Sequence, residues 1–413
     1  MNTTKKLFLT VLGLGLVQVV LSQAKMKDSL DIKIGQMLLI GFPKQEVDQD
    51  VLREVTDGKV GSIIYFEKNV PPKNSFVLLK KMNWTYQKAA PIPLLICIDQ
   101  EGGRVNRLKD KYGFPKSITA EAMGKDPSLD SVKFYSEATA STLSGLGFNV
   151  NFAPVVDLGT NRDNPIIAKV GRAFSANEDS VTMMAKEVIK AHHKYGVLTA
   201  LKHFPGHGSS KDDTHNGIAD VTQTWEEREL KPYRELIDSG YVDGIMSSHI
   251  VNKNLDPDGL PGTLSDDVLT GILRNRLHFN GVVFSDDMQM QAITKYYGLE
   301  EAIRLAINAG IDIMCFSNNI SGSDERTVNK VHSVIRGYVE KGVITKERID
   351  QSYRRVMAMK KKLSAAQDNV AARQQLQKTE KELADAKAVL TEYKDVIDKA
   401  QKKKARKNRK KKK

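Results

Sequence analysis

Cysteine is nearly absent from this 413-residue chain, which has only Cys97 and Cys315. No Cys-x-x-Cys spacing occurs, so zinc-ribbon sites and thioredoxin-type redox chemistry are excluded. The two thiols lie in separate apolar runs, PLLICI and IDIMCF. Read as the third and eighth strands of a barrel, these runs do not bring the Cα atoms within about 7 Å, so two buried free thiols are expected. A glycine-rich phosphate loop of either usual kind is also missing, which removes the standard nucleotide-binding signatures. Acidic residues are absent from Gln401 to Lys413, where ten of thirteen positions are Lys or Arg. Without that tail the formal net charge falls from +13 to about +3, so the body of the protein is nearly neutral. No aromatic residues interleave with the basic ones to stack on bases, and a nucleic-acid partner is not expected.

The one long apolar run is at the N-terminus. Lys5 and Lys6 precede Leu7 to Leu21, and Ser22-Gln23-Ala24 supplies small residues at a cleavage point. Residues 1–24 are therefore expected to be a signal peptide. The run of about 15 apolar residues is short for a span of about 20. Export follows as an expectation, to a periplasmic or cell-surface location. Residues 401–413 are expected to be a solvated, disordered appendage. Adhesion to an anionic surface is the alternative role for it.

Between the ends, eight short apolar runs recur: Gln36–Phe42, Val60–Phe66, Ile92–Ile98, Phe148–Ala153, Val197–Lys202, Gly244–Ser248, Gly281–Ser285 and Ile311–Phe316. Helical spacing occupies Leu129–Leu146, Asn177–Tyr195, Trp225–Ser239, Ser265–Leu277 and Gly298–Ala309. Ser265-Asp266-Asp267 signals a helix start and Gly240 a helix end. Strands alternating with helices specify parallel units, and eight of them close a (β/α)₈ TIM barrel over residues 25–360. An open doubly wound sheet is the competing architecture. Residues 361–400 lack Gly and Pro and carry Leu376, Leu383, Leu390 and Ile397 every seven positions. They read as an exposed helix or a short coiled coil.

In such a barrel the chemistry gathers at the C-terminal ends of the strands. Asp99 and Glu101 follow the third run, Asp157 the fourth, and Lys202 and His203 end the fifth. His249 ends the sixth run, Asp286 and Asp287 the seventh, Ser317 and Asn318 the eighth. The densest stretch is LKHFPGHGSSKDDTHN, residues 201–216. His203 and His207 have Pro205 and Gly206 between them, so they cannot share a helix face as a zinc pair would. His207, flanked by glycines, reads as a support for loop shape.

Glycoside hydrolysis with retention fits this rim. It needs an ionised nucleophile and a second group that first protonates the leaving oxygen and then deprotonates water. Asp286 suits the first role, with Lys202 the expected charge that keeps it ionised. His215 suits the second, with Asp213 two residues earlier to orient it. Of the Asp286–Asp287 pair, one aspartate is expected to cap a helix and the other to react.

KHFPGHG followed by Asp-Thr-His, DQEGGRVNR after the third run, and FSDDM after the seventh resemble glycoside hydrolase family 3, in its β-N-acetylglucosaminidase branch. The resemblance covers roughly residues 30–360. It implies a covalent glycosyl-aspartate intermediate, no metal or organic cofactor, and a substrate containing N-acetylglucosamine. Residue by residue it makes Asp286 the nucleophile, His215 the acid/base and Asp213 its partner. It assigns Asp99, Arg107, Arg172, Lys202 and His203 to the terminal sugar. Ser209-Ser210 and Ile218-Ala219 depart from the family's pattern on the loop that carries His215. With the same site, phosphate in place of water would make the protein a phosphorylase. A non-catalytic glycan-binding envelope protein is the reading from a different class.

Overall fold

The computed structural model describes residues 29–319 and 327–368, together with 370, 371, 375, 378, 379 and 381. The expected signal peptide, the four heptad positions and the basic tail lie outside the described residues.

Eight parallel strands close into a barrel. They are β1 (Leu38–Ile40), β2 (Ser62–Tyr65), β3 (Leu95–Ile98), β4 (Val150–Asn151), β5 (Leu198–Phe204), β7 (Gly244–Ser247), β9 (Val282–Asp287) and β10 (Ile313–Phe316). Around the barrel the order is β1-β10-β9-β7-β5-β4-β3-β2. Each strand falls on one of the eight apolar runs. Burial on both faces is what removes the polar alternation from their sequences. Two strands run further than expected, β5 to Phe204 and β9 to Asp287, so several site residues ride on the strands themselves. A second, two-stranded parallel sheet pairs β6 (Ala219–Asp220) with β8 (Ile250–Val251). Strands of two residues leave no periodicity to read, and the sequence gives no sign of it.

The expected helices form over Asp130–Leu146, Glu178–Lys194, Lys231–Asp238, Asp267–Arg276 and Leu299–Ala309. The Val268 N–H donates to Ser265 Oγ at 3.1 Å, the cap foreseen for that helix. Gly240 takes φ 71° after Lys231–Asp238, a left-handed turn that glycine adopts without strain. Helices over Gln49–Thr56, Ser75–Ala89 and Val328–Glu340 complete the wall.

One expectation fails in its boundary. Helical residues begin at 346, before the expected 361, and the added turns are partly buried, whereas most described residues from 361 on are exposed. Val356, Met359 and Leu363 belong to the cluster that fills the barrel, with Leu39, Cys97, Phe152, Phe284 and Cys315. Each such side chain contributes roughly 1.5–3 kcal/mol by leaving water. Lys360 lies in the same stripe, 2% exposed. Its Nζ donates to Gln36 Oε1 at 2.5 Å and to the Gly61 carbonyl at 3.0 Å. Gln36 and Gly61 precede β1 and β2, so this helix closes the N-terminal mouth of the barrel. Cys97 and Cys315 are buried free thiols.

Candidate active site

At the opposite mouth the strand ends assemble a network of charge. Lys202, 2% exposed in its side chain, places Nζ 2.7 Å from Asp99 Oδ1 and 2.6 Å from Glu101 Oε1. Arg172 grips Glu101 with both prongs of its guanidinium, each at 2.8 Å, a geometry that fixes orientation as well as charge. Arg107 Nη2 stands 3.4 Å from Asp99 Oδ2. Burial pushes the carboxyls of Asp99 and Glu101 up, but these cations outweigh it and hold both below the usual carboxylate range. Two anions and three cations thus sit fixed in one network of ion pairs.

His203 joins this network to a second one. Arg172 Nη2 lies 3.2 Å from His203 Nε2. A guanidinium can only donate, so Nε2 accepts and Nδ1 carries its hydrogen toward Asp157 Oδ2, 2.6 Å away. The other Asp157 oxygen accepts from the His203 and His207 backbone N–H groups at 3.1 and 2.8 Å. Asp157 therefore pins the start of the loop that follows β5. Gly208 lets that loop approach closely, since a Cβ there would lie 1.9 Å from the Leu158 carbonyl oxygen. Asn161 and Asn164 hold it down further, donating to the carbonyls of Ser210, His207 and Gly208 at 2.7, 2.8 and 3.1 Å.

Beyond these anchors the loop rises to Asp213 and His215. Asp213 Oδ1 accepts from the His215 backbone N–H at 2.8 Å and lies 2.7 Å from its Nδ1. A carboxylate only accepts here, so Nδ1 bears the hydrogen and Nε2 is the nitrogen left for chemistry. The His215 side chain is 59% exposed, open to solvent and to any bound molecule.

Asp286 closes the set from the end of β9. Burial alone would raise its carboxyl, but the rings of His249, His203 and His215, as they take up protons in acid, pull it down to about 2. This corrects the expectation that Lys202 keeps Asp286 ionised, because the Lys202 ammonium is directed to Asp99 and Glu101. The His215 charge contributes to that lowering although the two residues lie on different strands' loops. Asp287 does not cap a helix as expected, since the following helix, Gln291–Thr294, has Met290 at its N-cap and no side-chain cap. The Asp287 carboxylate takes the Ser317 hydroxyl, the Ser317 N–H at 3.2 Å and the Gln289 N–H at 3.1 Å, tying β9 to β10. Burial raises its carboxyl to about 6.

His207 is fully buried with neither ring nitrogen hydrogen-bonded, and burial lowers it to about 4. Its backbone, not its ring, holds the loop. Glu101, Asp157 and His249 stood on the sequence-derived rim without a role, and the structure gives each one a partner in the site. Their signal was position alone, just beyond a strand's end. Among the described residues no three His, Cys, Asp or Glu side chains converge on a metal position.

Comparison with known proteins agrees with this geometry. Residues 29–359 match the family described as the glycosyl hydrolase family 3 N-terminal domain. A beta-hexosaminidase of Tolumonas auensis is 33% identical over 279 residues, covering 67% of this chain and 80% of that protein. The structure of a glycoside hydrolase family 3 β-N-acetylglucosaminidase from Paenibacillus sp. superimposes with a TM-score of 0.74 at 34% identity, covering 81% of this chain and 63% of that one. A β-N-acetylhexosaminidase from Beutenbergia cavernae does so with a TM-score of 0.71 at 26% identity, covering 80% and 98%.

Proposed function

The chain belongs to glycoside hydrolase family 3, and we propose that it acts as a retaining, exo-acting β-N-acetylglucosaminidase. What supports this reading is that Asp286 and His215 both stand at the C-terminal end of the barrel strands and that the His215 charge is among those that lower the Asp286 carboxyl. A terminal N-acetylhexosamine would lie against the network of Asp99, Arg107, Arg172, Lys202 and His203. The charged groups there give charge-assisted hydrogen bonds to hydroxyl and acyl oxygens, which can strengthen as the ring flattens toward an oxocarbenium ion.

Two steps follow from the side chains. His215 donates the Nε2 proton to the glycosidic oxygen while an Asp286 oxygen forms a bond to the anomeric carbon and the carbon–oxygen bond to the leaving group breaks. Asp213 holds Nδ1–H throughout and stabilises the charged ring. Nε2 then takes a proton from water, whose oxygen displaces Asp286 and restores both groups. The β configuration survives because the carbon is attacked twice.

Natural substrates in this reading are glycans or peptidoglycan fragments with a terminal N-acetylglucosamine. Export, and a basic C-terminal segment that meets an anionic surface, are parts of the same proposal. The test is incubation with a chromogenic β-N-acetylglucosaminide and the matching glucoside. N-acetyl-selective release, lost in Asp286→Asn, is expected. Equal release from both sugars, or full activity in Asp286→Asn, would overturn it. Adding phosphate distinguishes the phosphorylase alternative, since only a phosphorylase accumulates sugar 1-phosphate.

A further inference from the structure

His249 is buried at the end of β7 with 0% exposure, and the two steps above make no use of it. Both ring nitrogens are nevertheless committed. Nε2 lies 3.0 Å from the backbone carbonyl oxygen of Asp287. A carbonyl can only accept, so Nε2 carries a hydrogen and donates it. Nδ1 lies 2.8 Å from Thr263 Oγ1, and burial favours the neutral ring, so Nδ1 accepts from that hydroxyl. Thr263 is fixed in turn by Ser247 Oγ, whose hydroxyl donates to Thr263 Oγ1 at 2.7 Å, and by its own backbone N–H, which donates to the Ser248 carbonyl at 2.9 Å. The ring is thus locked in one tautomer and one orientation.

What it grips is the peptide unit next to the nucleophile. The Asp287 N–H donates to Asp286 Oδ1 at 2.8 Å, so the backbone of residue 287 bonds to the reacting carboxylate on one side and to His249 on the other. The next residue along the chain, Ile250, opens β8 and pairs with Ala219 of β6. β6 is where the loop bearing Asp213 and His215 returns to the barrel. His249 therefore stands at the joint between the segment that carries the nucleophile and the segment that anchors the acid/base.

The geometry points to His249 as a positioning residue, one that holds the Asp287 carbonyl so that the Asp286 carboxylate faces the anomeric carbon at a fixed distance from the His215 loop. It does not touch the sugar and acts only through residue 287. The inference rests on the glycosidase reading above.

The test uses the full chain as wild type, His249→Gln, His249→Leu and Thr263→Val. A 2,4-dinitrophenyl β-N-acetylglucosaminide is the probe, because its leaving group departs without a proton and kcat/KM then reports attack by Asp286 alone. Glutamine can place an amide N–H near the position of the ring Nε2–H, whereas leucine cannot. His249→Leu is expected to lower kcat/KM by about 10- to 100-fold, on the scale of one buried hydrogen bond. His249→Gln should stay within about fivefold of wild type on the same reasoning. Inhibition by free N-acetylglucosamine, which reports ground-state binding, should be unchanged in both. Gln as slow as Leu, Leu as fast as wild type, or weaker inhibition matching the loss of rate would each overturn the assignment. If His249→Leu does not melt cooperatively, Thr263→Val decides, since it keeps the ring and frees Nδ1. A rate reduced several-fold supports the role and a wild-type rate refutes it. A wild type that releases nothing from this probe would instead sink the glycosidase reading, and this inference with it.

Discussion

Replacing Lys360 by methionine should change how the protein's stability depends on pH. The ammonium sits among the side chains that fill the barrel, and burial lowers its pKa from 10.5 to about 7. The folded state therefore binds fewer protons than the unfolded chain between about pH 7 and pH 10.5, and stability rises with pH across that window. The penalty for a charged Lys360 is fully present below about pH 7 and gone above the unfolded pKa. A gap of three to four pKa units corresponds to about 4–5 kcal/mol. Methionine removes the titration but leaves Gln36 Oε1 and the Gly61 carbonyl without their donor, a pH-independent cost of roughly 1–3 kcal/mol each. The net effect at one pH is thus a balance of similar terms, but its change with pH isolates the buried charge. Thermal midpoints of both proteins, measured at pH 6.5 and pH 10, give the comparison. Methionine should gain on wild type by several degrees at the lower pH relative to the higher. A difference constant across the two conditions would refute the reasoning.

Three further outcomes follow from the site. His215→Ala should lose about 10²–10⁴-fold in kcat on a substrate with a poor leaving group and much less with a good one; a Brønsted plot of both proteins checks this, and equal losses would remove His215 from the acid role. Glu101→Gln breaks the two-pronged contact with Arg172 and one of the two with Lys202, leaving buried charge under-compensated at a cost of about 3–5 kcal/mol. Weaker inhibition by N-acetylglucosamine together with a lowered melting point is expected. Asp286, held at about 2 and so below its unfolded value, stays ionised as the pH falls to about 4. The kcat/KM profile should show no acid limb attributable to it between pH 6 and pH 4, and a limb near pH 5 that disappears in Asp286→Glu would contradict the assignment.

The barrel was legible because parallel strands buried on both faces leave unbroken apolar runs, and every barrel strand falls on such a run. Asp286, His215 and Asp213 were legible as candidates because they lie where a barrel presents its loops. What holds Asp286 ionised was not legible. Lys202 is the obvious cation in the sequence, and only the fold reveals that Asp99 and Glu101 claim it while three imidazoles from other loops act on Asp286. The helix at the far mouth was hidden by its own lysine. Positions 356, 359, 360 and 363 have the spacing of a buried helical face, but Lys360 in the stripe and the polar composition after it read as a solvated surface. Asp157 and His249 each bond backbone groups as well as side chains, and no side-chain pattern advertises such contacts.

With Val356, Met359 and Leu363 packed into the side chains that fill the barrel at one end, the candidate site is confined to the opposite mouth. A bound glycan, its departing fragment, the incoming water and the freed sugar must all pass the same threshold, so the first fragment has to clear before water can reach the far side of the bond it vacated. Slow clearance would let a second alcohol take water's place, and the protein would then build a glycoside where it should have cut one. The ratio of transfer to hydrolysis at high acceptor concentration measures how congested that mouth becomes.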